Sequence, residues 1–127
     1  MTIESIDLDF TVCKVKEYDS ACFDSEFLFA CKTDVEYSLV CPTADVPRDT
    51  VAREDGWRMF RVAGTLDFSL VGILSRISSV LADNGIGIFA VSTYDTDYVL
   101  TKKEKHEEEN IKIQGFLQNK EFVCWQL

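Results

Sequence analysis

Residues 66–85 read LDFSLVGILSRISSVLADNG, and this stretch decides the fold of the second half of the chain. Its apolar residues recur at the i, i+3, i+4 and i+7 spacing that places them on one face of a helix. They are Leu70, Ile73, Leu74, Ile77, Val80 and Leu81. Asp67 is positioned to cap the N-terminus, and Gly85 supplies a C-terminal stop. The stretch therefore predicts an amphipathic helix with one face against a core.

Strand-like segments lie on both sides of this helix. Residues 57–63 (WRMFRVA) predict a strand that Gly64 ends. After the helix come predicted strands at 86–92 and 97–101, a charged helix within 102–118 and a last strand within 121–127. The order β-α-β-β-α-β, with a hairpin in the middle, is that of the ferredoxin-like unit.

The first half reads as a degenerate copy of the second. It has predicted strands at 8–16, 26–32 and 37–41, with room for only a short turn or a single helical turn at 17–25. Phe29-Ala30-x-x-Thr33 matches Phe89-Ala90-x-x-Thr93 at an offset of 60 residues (89 − 29). Residues 42–56 hold both prolines and predict a linker or a short helix. We therefore expect an α+β protein of two side-by-side repeats, 1–54 and 55–127, the first with a shortened first helix.

Composition limits the partners and the location that we expect. The 127 residues carry a formal charge of −9, which repels nucleic acid phosphates and anionic lipid. The start of the chain shows no signal-peptide pattern, and no apolar run is long enough to span a membrane. We expect a cytoplasmic protein that binds neither nucleic acid nor membranes.

The thiol and imidazole groups give no sign of a metal centre or a catalytic nucleophile. The five cysteines form no C-x-x-C pair, and the single histidine, His106, lies in the charge run KKEKHEEEN. Cys13, Cys31, Cys41 and Cys124 have apolar, strand-like surroundings and read as structural thiols. We expect no metal, no cofactor and no enzymatic activity.

The segments GTLDFSLVGIL (64–74) and LADNGIGIFAVST (81–93) resemble the ACT-domain signature. Gly72 and the apolar pair after it match the head of the first ACT helix, and Asp67 matches the acid of the loop before it. Val71 stands where the family usually has proline. More widely, the chain is similar to small proteins of two tandem ACT repeats, to the regulatory repeats of aspartate kinases and to cytosolic arginine sensors.

This resemblance implies a regulatory fold that binds an amino acid or a similar small molecule where two repeats meet. The helix N-terminus would receive a carboxylate, and carboxylates of the following hairpin would accept hydrogen bonds from an ammonium group. The candidate ligand-binding residues are Leu66, Asp67, Phe68, Ser69, Leu70, Gly72, Ser92, Thr93, Asp95, Thr96 and Asp97, with Ser38 from the first repeat.

The Asp95-Thr96-Asp97 sequence has two other interpretations. It is typical of a hairpin turn, in which such side chains bond back to the backbone. It also resembles a D-x-D metal site, but such an enzyme needs further groups from a much larger domain.

The preferred hypothesis is a dimeric small-molecule sensor that shifts an oligomer or a partner complex on binding. The alternatives are a ligand-free protein-interaction module and, third, a metal-dependent enzyme.

Overall fold

A computed structural model of the chain describes residues 2–63, 73–105 and 123–125. It contains β1 (Thr2–Val15), β2 (Phe29–Lys32), β3 (Tyr37–Pro42), β4 (Thr50–Ala63), α1 (Ile73–Asp83), β5 (Phe89–Ser92), β6 (Asp97–Lys102) and β7 (Val123–Trp125). Short 3-10 turns lie at Ser20–Asp24, Thr43–Asp45 and Lys103–Lys105. The first of these is a single helical turn, one of the two forms that the sequence predicts between the first two strands.

The chain divides into two compact units. The smaller unit is residues 8–57, and the larger unit is residues 1–7 together with 58–127. Strands β1 and β4 therefore contribute residues to both units. The expected division into repeats 1–54 and 55–127 stays a prediction.

The larger unit has the strand order β5-β6-β4-β1, and residues 2–4 of β1 also pair with β7 in parallel. Helix α1 buries Ile77 and Leu81 in its core. The other buried members are Ile3, Phe60, Val62, Ile86 and Val99. Phe60 and Val62 of β4 enter this cluster on either side of the half-buried Arg61, because successive side chains of a strand point to opposite faces.

Helix α1 ends as the sequence predicts. Gly85 has φ 72°, a conformation that is strained for residues with a Cβ atom. Its N–H donates to the Ala82 carbonyl at 3.0 Å, and the Ile86 N–H donates to the Leu81 carbonyl at 2.9 Å. These two bonds form a Schellman cap, which satisfies carbonyls that the helix leaves open. The predicted N-cap, Asp67, lies outside the described residues.

The smaller unit has the corresponding order β2-β3-β1-β4. Strand β3 pairs antiparallel with β1, for example Val12 with Val40, and with β2, for example Phe29 with Val40. The core contains Cys13, Val15, Cys22 and Leu39, with Tyr18, Leu28, Tyr37 and Val46 packed against it.

Two predicted strand boundaries are wrong. Strand β1 begins at Thr2 rather than Leu8, and β4 begins at Thr50, within the stretch predicted to be a linker or short helix. The N-terminal part of β1 is fixed by ion pairs to β4, Arg61 to Glu4 and Arg58 to Asp7, both at 2.9 Å. Partners far along the chain, which no local pattern reports, thus take part in holding this part of β1.

The hairpins lie where the sequence predicts them, and β2 is shorter than expected. It starts at Phe29 rather than Glu26, and β3 extends one residue to Pro42. Cys31, expected in apolar surroundings, is exposed because the residues of β2 after Phe29 face solvent.

Cys13, Cys22 and Cys41 are buried free thiols. Burial raises the pKa of Cys13, and it raises the pKa of Cys41 to about 12. These two thiols therefore stay protonated at neutral pH, as expected for structural cysteines. No helix within the described residues is long and apolar enough to cross a bilayer.

Candidate ligand-binding site

Five predicted site residues lie together in the hairpin between β5 and β6, within the larger unit. Phe89 pairs with Leu100, and the pairing continues to Ser92 with Asp97. Residues 93–96 therefore form the turn between the two strands. The Thr93 N–H donates to the Thr96 carbonyl at 2.8 Å, and the Thr93 hydroxyl donates to the same carbonyl at 3.0 Å. The turn is therefore closed by both backbone and side chain.

The two carboxylates of this turn have different surroundings. The Ser92 hydroxyl donates to Asp97 Oδ1 at 2.6 Å, so Asp97 is held by its cross-strand neighbour. Asp95 is exposed and forms no hydrogen bond or ion pair with another described residue. The Thr96 hydroxyl donates to the Val62 carbonyl and fastens the turn to β4. Asp95 is thus the carboxylate of this hairpin that is available to a ligand.

The hairpin between β2 and β3, in the smaller unit, repeats this geometry. Its elements lie 60 residues earlier (89 − 29 and 97 − 37), and the Thr33 N–H donates to the Glu36 carbonyl at 2.9 Å. Ser38, the remaining predicted contact, is half-buried and donates through Oγ to Glu36 at 2.7 Å. The structure thus places Ser38 in an equivalent hairpin of a different unit from the other five residues.

The six predicted residues around the helix start, Leu66, Asp67, Phe68, Ser69, Leu70 and Gly72, lie outside the described residues. Their role as ligand contacts stays a prediction.

The loop after β1 corresponds in position to residues 66–72, which follow β4, and it lies within the described residues. Strands β1 and β4 both have 14 residues, and an aspartate follows the end of each by four positions, Asp19 after Val15 and Asp67 after Ala63. Asp19 caps the 3-10 turn that follows it, because its side chain accepts a hydrogen bond from the Ala21 N–H at 3.0 Å. Sequence reasoning missed Asp19. An alignment of β1 with β4 would have found it.

The described residues offer no ready metal site. Among residues 2–63, 73–105 and 123–125, no group of three His, Cys, Asp or Glu side chains is arranged to hold a metal ion. The hydrogen bond from the Thr93 hydroxyl to the Thr96 carbonyl is the back-bonding expected of a hairpin turn.

Comparisons with known proteins extend these observations. Residues 52–108 match the family model of the ACT domain. A search of curated proteins found no match.

Several solved structures share the fold. A protein from Agobacterium tumefaciens is 27% identical with a TM-score of 0.84, and the alignment covers 99% of this chain and 92% of that one. A protein of unknown function from Vibrio cholerae, described as a possible transport protein, is 18% identical with a TM-score of 0.73, over 91% and 88% of the two chains.

The ligand-free regulatory subunit of aspartate kinase from Thermus thermophilus is 8% identical with a TM-score of 0.61, over 89% and 95% of the chains. At such low identity it shows the fold alone. Together with the family match, it shows an ACT-like fold with a mostly antiparallel sheet. The resemblance to ACT-domain proteins is therefore confirmed: residues 52–108 of this chain match the ACT-domain family.

Proposed function

We propose that this protein is a non-catalytic regulator that binds an amino acid where two ACT repeats meet. The observation that carries the proposal is the ACT-domain match over residues 52–108. A fold shared with the regulatory subunit of an aspartate kinase supports a regulatory, small-molecule-binding role. The ligand identity and its position between repeats are the parts that experiment must test.

The hairpin after β5 supports this proposal through Asp95. Its exposed carboxylate has no partner among the described residues and is free to accept hydrogen bonds from a ligand ammonium group. Ser92, Thr93, Thr96 and Asp97 hold the turn that presents it. In the proposed site, residues 66–70 and Gly72 contact the ligand carboxylate, and Ser38 contributes from the other repeat.

The proposed mechanism is a population shift. A ligand that contacts two repeats at once stabilises the arrangement in which both repeats contact it. The ligand thereby changes the population of an oligomer or of a complex with a partner protein. We propose a cytoplasmic homodimer as the responding species. Such coupling requires that the ligand bind one arrangement more tightly than the other.

Isothermal titration calorimetry with the twenty amino acids tests the proposal. We expect saturable heat for at least one of them. In Asp95→Asn we expect a loss of affinity of at least about tenfold, since a charge-assisted hydrogen bond contributes roughly 1.5–3 kcal/mol. Asp34→Asn is the matched control, because Asp34 is an exposed carboxylate in the equivalent hairpin of the smaller unit. Absence of heat from every amino acid in a folded sample would contradict amino-acid binding.

Asp97→Asn separates ligand contact from turn structure. Asparagine keeps an acceptor for the Ser92 hydroxyl and removes the charge. We expect a folded protein with a smaller loss of affinity than Asp95→Asn produces. An affinity loss confined to Asp97→Asn would assign the ammonium contact to Asp97 instead.

The second candidate function, a protein-interaction module, is favoured by the hairpin tips. Val35 is 75% exposed and Tyr94 is fully exposed, one at the tip of each equivalent hairpin. An exposed aromatic side chain such as that of Tyr94 suits a protein partner, because tyrosine is enriched at protein interfaces. A dimer that forms without any ligand and is disrupted by Tyr94→Ser would favour this function.

A further inference from the structure

A groove of about 490 Å³ lies at one end of the sheet of the smaller unit. It is lined by residues 14–16 at the end of β1, by residues 32–37 of the hairpin between β2 and β3, and by Val51 near the start of β4. The groove is thus bordered by the ends of four strands.

Three exposed lysines supply the positive groups of this groove. Lys14, Lys16 and Lys32 line it, and none of them forms an ion pair with another described residue. The Lys32 Nζ lies 5.3 Å from the centroid of the Tyr37 ring, a cation–π contact that restrains its position. By contrast, the three arginines of β4 are each paired with a carboxylate. The lysine ammonium groups are therefore available to carboxylates of a partner.

The two described carboxylates that line the groove do not neutralise these lysines. Glu36 accepts a hydrogen bond from the Ser38 hydroxyl at 2.7 Å, and Asp34 is exposed in the turn of the hairpin. Neither forms an ion pair with a described lysine. The described lining thus carries one more positive than negative group (3 − 2), in a chain whose formal charge is −9.

Hydrogen bonds hold the hairpin that forms one side of the groove. The Thr33 N–H donates to the Glu36 carbonyl at 2.9 Å. The Thr33 hydroxyl oxygen accepts from the Val35 and Glu36 N–H groups, both at 3.2 Å. A preformed surface of this kind reduces the ordering that a bound partner must offset.

The groove also exposes apolar surface. Val35 is 75% exposed and Val51 is 52% exposed, and both line the groove together with the half-buried Tyr37. The methylene stems of the lysines add to this surface. A partner with only charged groups would leave the apolar surface in water, so apolar side chains in the partner add to its affinity.

The lysines are spread over a distance that suits a chain of residues. Strand β3 lies between β1 and β2, so the backbones of Lys14 and Lys32 are two strand spacings, about 10 Å, apart. Lys14 pairs with Ser38 and Lys32 with Tyr37, so the two side chains extend from opposite faces and line the groove around the end of the sheet. Alternate residues of an extended peptide are about 7 Å apart. Such a peptide brings a separate carboxylate to each lysine, which a single small anion does not.

We propose that this groove docks an extended segment of another protein in which acidic residues alternate with apolar residues. The carboxylates of the segment pair with Lys14, Lys16 and Lys32, and its apolar side chains pack on Val35 and Val51. The net charge of −9 repels an acidic partner, but exposed charges are screened beyond about 8 Å at physiological ionic strength. The lysines at the groove therefore decide whether the segment docks.

This surface goes beyond the proposed function. Its lining contains no residue of the Asp95 hairpin, none of residues 66–72 and not Ser38. Loss of amino-acid binding and loss of segment docking are therefore separate results. For the alternative function, a protein-interaction module, the inference names the chemistry of the partner.

Residue-resolved NMR on the ¹⁵N-labelled full chain tests the inference with three short synthetic peptides, each acetylated and amidated at its ends. The first alternates glutamate with valine, the second has lysine in place of each glutamate, and the third has serine in place of each valine. We expect saturable amide shifts in residues 14–16, 32–37 and 51 with the first peptide. We expect none with the second, and an affinity about tenfold weaker for the third, since it lacks the apolar contacts.

Lys14→Glu and Lys32→Glu are the test variants, and Arg76→Glu is the matched control. All three side chains are exposed and form no ion pair with a described residue, and Arg76 lies on α1 in the larger unit. Each substitution changes the net charge by the same amount. We expect each lysine variant to weaken binding of the first peptide about tenfold, because a pair is replaced by a repulsion, and Arg76→Glu to leave it unchanged.

Four results would overturn the docking groove. They are no saturable shift in residues 14–16, 32–37 and 51 up to about 1 mM of the first peptide, equal affinity for the first and second peptides, equal affinity for the first and third, and equal effects of Arg76→Glu and the lysine variants. Shifts of the same amides with protein concentration, in the absence of peptide, would assign the groove to a second copy of this chain and would also overturn the inference.

Discussion

Thr11 is a fully buried hydroxyl at the centre of a polar network in the smaller unit. It donates to Asp55 Oδ1 at 2.6 Å and lies 2.9 Å from the Thr43 hydroxyl. Arg53 donates to the same carboxylate oxygen at 2.9 Å. The hydrogen bond from Thr11, followed by that from Arg53, lowers the pKa of Asp55 below its usual value. Within the smaller unit, this network joins β1 to β4 through polar groups.

Thr11→Val keeps the shape of the side chain and removes the hydroxyl. We expect a loss of about 1 kcal/mol in the free energy of unfolding, because the buried Thr11 hydroxyl loses its part-buried hydrogen bond to Asp55. Urea denaturation measures the loss. Thr43→Val is the control, since it leaves the bond from Thr11 to Asp55 in place. An equal loss in the two variants would contradict the central role of Thr11.

The same network predicts a pH dependence. Because the folded-state pKa of Asp55 is depressed, its stabilising contribution is present above the unfolded pKa of about 3.9 and is lost as the pH falls through the lower folded value. In Thr11→Val the pKa of Asp55 should rise towards its usual value. An NMR titration of the Asp55 carboxyl carbon measures it, and an unchanged midpoint would refute the assignment of the shift to Thr11.

Gly56 interrupts β4 near its middle. Its φ is 85°, and a Cβ atom placed on it would have no neighbour within 4 Å. A glycine with positive φ inside a strand is typical of a β-bulge, which bends the strand locally. The requirement at this position is therefore for backbone conformation, not for space.

Substitutions at Gly56 distinguish these two requirements. Gly56→Ala should destabilise the protein by about 1 kcal/mol, because a left-handed backbone is strained for residues with a Cβ atom. Gly56→Asn should lose less, since asparagine tolerates this conformation better. Gly87→Ala is the control, because Gly87 has no positive φ and equally open surroundings. Thermal unfolding of the three variants measures the order, and equal losses in all three would contradict it.

The elements that the sequence predicted correctly are those with strong local signals. The apolar stripe and Gly85 of α1, and the repeated Phe-Ala-x-x-Thr pattern of the hairpins, each specify structure over a few residues. The first residues of β1 and β4 lacked such a signal. They are held in strands by partners far along the chain, such as Glu4 with Arg61, which no local pattern reports.

In the candidate site, too, local features were predicted from the sequence and features that depend on distant contacts were not. The sequence predicted that Ser92, Thr93, Thr96 and Asp97 lie in one turn, because a hairpin brings its own residues together. It could not distinguish Asp97, which accepts a hydrogen bond from Ser92, from Asp95, which has no partner in the part of the chain that the structure describes. That difference depends on side-chain direction across the strand pair.

The larger unit depends on residues from the very start of the chain. Ile3 is 4% exposed in its core, beside Phe60 and Val62, and Glu4 is paired with Arg61. The rest of the unit begins only at residue 58. A cut between the expected repeats, after residue 54, would remove this strand segment.

We therefore expect a fragment of residues 55–127 to show no cooperative thermal unfolding. In the full chain, Ile3→Ala should lower the free energy of unfolding by about 2–4 kcal/mol, through lost apolar burial and a new cavity. Leu8→Ala is the control, because Leu8 is 39% exposed. Cooperative unfolding of the fragment at the melting temperature of the full chain would refute the contribution of residues 1–7.

The discontinuous larger unit has a consequence for the order of folding during synthesis. Residues 1–7 leave the ribosome before their partners in β4, which follow only after the whole of residues 8–57. The smaller unit is continuous and complete by then, so we expect it to fold first while the N-terminal segment waits for β4. Closing this long loop is entropically costly, and it makes pairing of residues 1–7 with β4 a late step in the maturation of the nascent chain.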